Sequence, residues 1–565
     1  MSNRPLFTAG VWILLSLLTV SGAPQDTPAQ TQPARPNQRA TIRPVSADEL
    51  MNSPGDDWLT YHGSFSGNHF SPLKQIDKGN VATLQRMWVS DTDPAVGPAS
   101  RFARGAAGRG TTSVPAGRTG VGPGWAAAGV IASGLIVRDG VIFFTTGPNA
   151  YAVDGKTGRQ IWHYVARSSG GLSNRGLGIR GDTLYMMANG GLTAIDAATG
   201  AERWAKDIGG AVPPIAPMIV RDHVYVASGS DSGTSRSWLE SRNAQTGERE
   251  WIWYAVPKEG EFGFNTWPSE EEAAGGAGTP WQAPTYDPEQ NVLVFGTGNP
   301  DPIKDARARP GDNLFTDCVV ALDADTGAMK WYFQATPHDS HDYDNNQSMS
   351  LATVTVAGRP RKVVTWISRN GYFFTVDRTT GENIVTSKVF PSTNWAFDQL
   401  RSNGTPEPID NKLLQRGGAL VSPSSEGVAN YPAQSFSPQT GLHYTNVVNG
   451  YGMFYWSGET FMGTFKNVLR ATDPATGKVA WQHDYLEPLG IHARYPSVLT
   501  TAGGLLFTGD ISGNFVAFDA ATGKILWHDE LPDASVTGVP VTFTIAGRQY
   551  VAVPAGTKIV TYAVK

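Results

Sequence analysis

The stretch DAATGAERW, residues 196–204, recurs through the chain in closely similar form. Its companions are DGKTGRQIW (154–162), NAQTGEREW (243–251), DADTGAMKW (323–331), DPATGKVAW (473–481) and DAATGKILW (519–527). A degenerate copy, DRTTGENI (377–384), lacks the tryptophan. An Asp or Asn followed by Thr-Gly makes a tight turn, the glycine taking a positive φ that other residues resist. The residues before it are apolar (Leu192, Ala194, Ile195) and the residues after it end in Trp. Each phrase therefore reads as strand, hairpin turn, strand. Trp162 and Trp204 are 42 residues apart, Trp204 and Trp251 are 47, and Trp481 and Trp527 are 46. Periods of this size mean stacked β units or the blades of a propeller. A small sheet cannot bury both faces alone, so the units pack on one another and the ring closes. The Trp is expected to fill the wedge between neighbouring blades. An open β-solenoid is the alternative, but its rungs are usually shorter than these repeats.

Working outward, Gly 64, Pro 38 and 17% charged residues agree with many turns and short strands in an all-β chain. A formal net charge of −5 offers no basic surface for nucleic acid. Arg4, the apolar run 9–20 and the small residues Ser21 to Ala23 read as an export signal over 1–23, implying a periplasmic protein. The run is too short to span a bilayer comfortably, and no later stretch is long and apolar enough, so the mature chain is expected to have no transmembrane segment. Residues 24–45, rich in Pro, Gln and Thr, read as a disordered linker, residues 46–565 as the propeller, and the Gly/Ala-rich insertion 93–129 as a mobile surface loop. Cys318 is the only cysteine, so the chain has no intramolecular disulfide and no CxxCH haem site.

Between Trp251 and Arg369 polar and aromatic residues are unusually dense. The runs are GTPW (278–281), GTGNP (296–300), RPGDN (309–313), TPHDSHDYD (336–344) and SRNG (368–371). A purely structural propeller does not need this set. Together with DWLTY (57–61) and the repeat phrase, these runs resemble the quinoprotein alcohol dehydrogenases, the pyrroloquinoline quinone (PQQ) enzymes that include methanol dehydrogenase. The resemblance covers roughly residues 50–560. It implies an eight-bladed β-propeller with PQQ near the central axis, an alcohol as substrate and, since this chain has no haem site, a soluble cytochrome c as electron acceptor.

By that resemblance Asp342 matches the catalytic carboxylate, which takes the hydroxyl proton while hydride passes to the quinone. Arg369 matches the donor to the quinone oxygen at the reacting carbon. Trp281 corresponds to the flat floor under the ring. Thr279, Ser228 and Gly229 correspond to hydrogen-bonding contacts, Arg175 to a carboxylate partner, and Asn430 to a contact from the opposite side. The metal ligands implied are Asn299, Asp342 and, with a shorter arm than the family's Glu, Asp231. Asp344 resembles the extra carboxylate of the lanthanide-type methanol dehydrogenases, or is an unrelated turn Asp; calcium and a lanthanide both stay open. Trp395 and Tyr495 are expected to border the substrate pocket.

The chain departs from the family pattern at several points. Where the alcohol dehydrogenases carry adjacent cysteines, this chain has Ser169 and Gly170; Ile131 stands near a usual glutamate and Pro214 at a usual threonine; and an expected Trp near the C-terminus is absent. PQQ sugar dehydrogenases also lack the cysteine pair but tend to carry Lys in place of Arg369. A sugar or polyol dehydrogenase, or a propeller that has lost PQQ and serves as a protein-binding scaffold, are the alternative readings.

Overall fold

The computed structural model describes residues 37–53, 55–90, 92, 129–167, 175–230, 235–412, 417–455, 458–485, 496–510, 513–531 and 536–565. The expected leader 1–23, nearly all of the insertion 93–129, and Ser169, Gly170, Asp231 and Tyr495 lie outside these. Among the described residues the chain forms six four-stranded sheets, two five-stranded sheets and one two-stranded ribbon. Among the described residues the helices are short, such as Ala47–Asn52 and Glu270–Ala274, and none is long and apolar enough to cross a membrane.

Five of the six four-stranded sheets are meanders of consecutive antiparallel strands. A typical one runs Gly178–Arg180, Thr183–Ala188, Gly191–Asp196, Glu202–Asp207. Its first three strands are almost wholly buried and its last is partly exposed, so the fourth strand is the outer one. The repeat phrase is the turn between the third and fourth strands. Asp196 Oδ1 accepts the N–H groups of Ala198 (3.1 Å) and Thr199 (2.9 Å) and the Thr199 hydroxyl (2.9 Å). Gly200 completes the turn at φ +73°.

The tryptophan locks adjacent sheets together. Trp162 packs on Gly200 of the next repeat, and its indole N–H donates to the Ala197 carbonyl at 3.0 Å. Trp251 does the same to Gly327 and Ala324, Trp331 to Gly381 and Arg378, and Trp481 to Gly523 and Ala520. A Cβ on any of these glycines would lie 2.5–2.8 Å from the indole. Glycine is thus demanded twice over, by φ and by the ring on its face. In the degenerate copy Val385 takes the Trp position, against Gly477. The N-terminal part closes the ring: Gln85–Val89 pairs with Lys558–Ala563 as the outer strand of the C-terminal sheet, and its Trp88 packs on Gly158 and donates to the Gly155 carbonyl at 3.1 Å.

The linker expected over 24–45 is corrected where it is described. Residues 37–45 dock on the sheets: Val45 is buried and bridges Gly181, and Ala40 N–H donates to the Ala198 carbonyl at 2.7 Å. Arg138, itself buried, binds the carbonyls of Arg43 (3.1 Å) and Pro44 (3.2 Å) and pairs with Glu49 and Asp57, both at 2.8 Å. Backbone pairing and a buried guanidinium override a composition that by itself predicts disorder.

Candidate functional site

The meander topology places the candidate residues. In a four-stranded antiparallel sheet, the entry to the first strand and the exit from the second lie at the same end. Arg175 precedes Gly178–Arg180, Thr279 and Trp281 precede Thr285–Asp287, Asp342 and Asp344 precede Ser350–Val356, and Asn430 precedes Ser435–Ser437. Ser228 ends and Gly229 follows His223–Ser228, Asn299 follows Val292–Gly296, and Arg369 follows Arg359–Ile367. All therefore sit on one face, opposite the repeat turns.

A continuous set of contacts joins most of them. Gly278 N–H donates to the Asn299 carbonyl (3.0 Å), and Gly298 N–H to the Thr279 carbonyl (3.1 Å), setting these two loops side by side. Asn299 N–H donates to Asp344 Oδ1 at 2.9 Å. Arg369 spans both acids: Nη1 is ion-paired with Asp344, and Nη2 lies 3.5 Å from Asp342 Oδ2. Its Nε donates to the Ser425 carbonyl at 2.7 Å. Thr279 exchanges a hydroxyl hydrogen bond with Ser237 (2.8 Å), and a Cβ on Gly229 would lie 2.5 Å from Thr279 Oγ1. Asn346 fixes the Trp281 loop, accepting Trp281 N–H at 3.1 Å and donating to the Thr279 carbonyl at 3.0 Å. The Arg175 guanidinium lies between two rings, 4.4 Å from Trp281 and 4.3 Å from Tyr431. At such distances each ring attracts the cation through its quadrupole.

Two candidates are engaged within their own surroundings. The Ser228 hydroxyl donates to the Ala211 carbonyl at 2.8 Å. Asn430 Oδ1 accepts Tyr431 N–H at 2.8 Å and its Nδ2 donates to the Glu426 carbonyl at 3.4 Å. Trp395, expected at the pocket rim, is instead buried: it donates to the Asn370 carbonyl at 2.6 Å and packs against Tyr343 and Tyr372. Ile131 lies in an apolar cluster with Leu135 and Val137. Among the described residues no trio of His, Cys, Asp and Glu gathers around one point; the oxygen set here is two aspartates and an amide.

Several residues at the site carried no sequence signal of a role. Lys304 Nζ lies 3.9 Å from Asp342 Oδ2 and donates to the His341 carbonyl at 2.8 Å. Arg309 is fully buried, donating to Asn313 Oδ1 (2.9 Å) and the carbonyls of Pro302 (3.1 Å), Ile303 (3.2 Å) and Asp339. Burial pushes its guanidinium down to about 10. Asp317 is also buried, and neither carboxyl oxygen has a hydrogen-bond partner among the described residues. Burial, with Asp339 and Asp344 nearby, pushes it well above the usual carboxylate range and favours the protonated form. Only Arg309 stood in a quoted motif.

The sequence profile described as "Glucose/ethanol/alcohol dehydrogenase, beta-propeller domain", of the PQQ group, matches residues 58–181, 212–393 and 487–551. A second profile, "Outer membrane protein assembly factor BamB", matches residues 120–253. Quinohemoprotein alcohol dehydrogenase of Comamonas testosteroni is 32% identical, the match covering 97% of this chain and 78% of the relative. Quinoprotein alcohol dehydrogenase PedH of Pseudomonas putida is 29% identical over 98% of this chain and 92% of the relative. Among solved structures, the Comamonas testosteroni enzyme superposes with a TM-score of 0.78 at 29% identity, covering 92% of this chain and 82% of that one. A europium-containing methanol dehydrogenase gives 0.72 at 27% identity, covering 90% and 92%.

Proposed function

The chain belongs to the PQQ-dependent glucose/ethanol/alcohol dehydrogenase family of β-propellers, and from that premise we propose that it oxidises an alcohol by passing hydride to bound PQQ. The observation that carries the reading is Arg369 reaching both Asp342 and Asp344, with Asn299 hydrogen-bonded to the same Asp344. Loops from two different sheets converge there on one small volume. Taking each of the eight four- or five-stranded sheets as one blade makes the propeller eight-bladed.

The residues fit the cofactor chemistry. PQQ is flat and carries carboxylates; Trp281 offers an aromatic face, Arg175 and Arg369 cations, and Thr279 a hydroxyl. Asp342, Asp344 and the Asn299 amide oxygen, with Asp231, make an all-oxygen set suited to a hard cation, calcium or a lanthanide. When bound, the quinone supplies the two-electron acceptor and the cation polarises it. Asp342 holds the substrate hydroxyl and takes its proton as the carbon loses hydride. Arg369 keeps the Asp342 carboxylate oriented and offers N–H donors where negative charge develops.

The proposal also includes a cleaved leader over 1–23 and a periplasmic location, supported by the sequence, and a soluble cytochrome c that reoxidises the quinone, supported by the family resemblance. The test is to titrate the purified chain with PQQ plus calcium, then with PQQ plus a light lanthanide, reading bound-quinone absorbance and dye-linked alcohol oxidation together. Asp342→Asn is expected to bind quinone normally and to lose turnover by at least about 100-fold. Normal turnover in that variant refutes the base assignment. A chain that takes up no quinone with either metal refutes the enzyme reading in favour of a scaffold.

A further inference from the structure

The loop that carries Asp342 is wrapped around a carboxyl that the chemistry itself does not use. Asp339 is buried, and its Oδ1 accepts His341 N–H at 2.9 Å. Its Oδ2 accepts the N–H groups of Asp342 (3.0 Å) and Tyr343 (2.8 Å). Three successive peptide N–H groups thus converge on one side chain. Asp342 sits at φ +74°, in the left-handed region that non-glycine residues resist. Such a conformation persists only where the surroundings over-determine it.

The other contacts of the loop act on its neighbours. Lys304 holds the His341 carbonyl, and Arg309 donates to the Asp339 carbonyl. The His341 ring pairs with the Lys412 carbonyl at 2.7 Å and stacks on Tyr343 at 5.1 Å between centroids. The Tyr343 hydroxyl donates to the Pro423 carbonyl at 2.5 Å. Among the described residues, only Asp339 holds the Asp342 backbone itself by a side chain. The Asp342 side chain is left 26% exposed, toward Arg369 and Lys304.

We propose that Asp339 is a positioning residue: by gathering the N–H groups of residues 341–343 it holds Asp342 in its left-handed conformation and aims that carboxylate at Arg369 and the substrate hydroxyl. This rests on Asp342 being the base. Proton transfer at a positioned carboxylate is sensitive to displacements of the order of an ångström. Asp339→Asn keeps one acceptor oxygen but presents an NH₂ to N–H groups that need an acceptor. Asp339→Glu keeps both oxygens on an arm one methylene longer. Both variants change only the group that accepts the N–H groups of His341, Asp342 and Tyr343.

The test uses the full chain in two states. In the cofactor-free protein, hydrogen exchange over a peptide spanning 338–345 is expected to be faster in Asp339→Asn than in wild type. In protein loaded with PQQ and calcium, both variants are expected to bind quinone like wild type while kcat falls about 10- to 100-fold. KM should change no more than about threefold, since the carboxylate that meets the hydroxyl is displaced and not removed. The isotope effect with a C1-dideuterated alcohol should rise as the chemical step becomes limiting. Wild-type kcat in both variants, unchanged exchange over 338–345, or quinone uptake falling in parallel with turnover would each overturn the proposal. If wild type itself turns over no alcohol, the functional reading fails, and the exchange experiment still decides whether Asp339 holds the loop.

Discussion

The tryptophan–glycine lock can be isolated with a single methyl group. Gly200 lies at φ +73°, and a Cβ there would sit 2.7 Å from Trp162 Cε3 and 2.8 Å from Cδ2. Trp162 cannot slide away, because it is fully buried and its N–H is bound to the Ala197 carbonyl. Gly209 is the control: φ is +78°, and nothing lies within 4 Å of the same methyl. Both Gly→Ala changes carry a left-handed backbone cost of about 1 kcal/mol. Gly200→Ala adds overpacking against the indole, about 1–3 kcal/mol. The expected losses are about 1 kcal/mol for Gly209→Ala and about 2–4 kcal/mol for Gly200→Ala. In a Trp162→Ala background the methyl gains room, so the cost of Gly200→Ala returns to about 1 kcal/mol. Urea unfolding followed by far-UV circular dichroism on wild type, both singles and the double variant gives the coupling energy. Equal costs of Gly200→Ala in the two backgrounds, or equal losses at Gly200 and Gly209, would refute the lock.

Asn299→Ala removes a neutral amide oxygen from the proposed cation set. Calcium affinity in the presence of PQQ, measured by calorimetry, is expected to fall at least about 10-fold; an unchanged affinity removes Asn299 from the set. Acid sensitivity follows from buried histidines. Burial lowers His62 from the ordinary 6.5 to about 4 and His443 to about 3, so both stay neutral in the folded chain. The unfolded chain binds protons below pH 6.5 where the folded chain does not, so their contribution is whole above 6.5 and lost as pH falls toward 4. Urea midpoints should decline over that interval, less steeply in His443→Gln; a flat profile contradicts the sign.

The repeat phrase made the propeller legible because its constraints are local. Asp caps, Thr supports, Gly turns and Trp packs within one phrase and its next copy, so every copy shows the same spacing. The C-terminal sheet, with strands Val541–Ile545, Arg548–Ala555 and Lys558–Ala563, carries no such phrase, and the repeat did not mark it. Asp342 and Arg369 stood out through their motifs. Asp339 lay inside the same motif, yet its role is carried by backbone N–H groups and leaves no mark in residue type. Lys304 sits 38 residues before Asp342 in a loop with no signature, and only folding brings it within 3.9 Å. Trp395 misled because an exposed and a buried tryptophan look alike in sequence.

What the residues alone determined was the repeating unit: turn, strand and tryptophan obey short-range geometry, and the closed ring follows because a lone sheet leaves a face uncovered. The tertiary structure decided which loops share a face, and therefore which acids, amides and guanidinium groups meet. It also turned residues 37–45, the end of the polar, proline-rich stretch 24–45, into docked structure, through Val45 and the buried Arg138. Long-range contacts have no fixed sequence spacing, so their geometry exists only once the ring is closed.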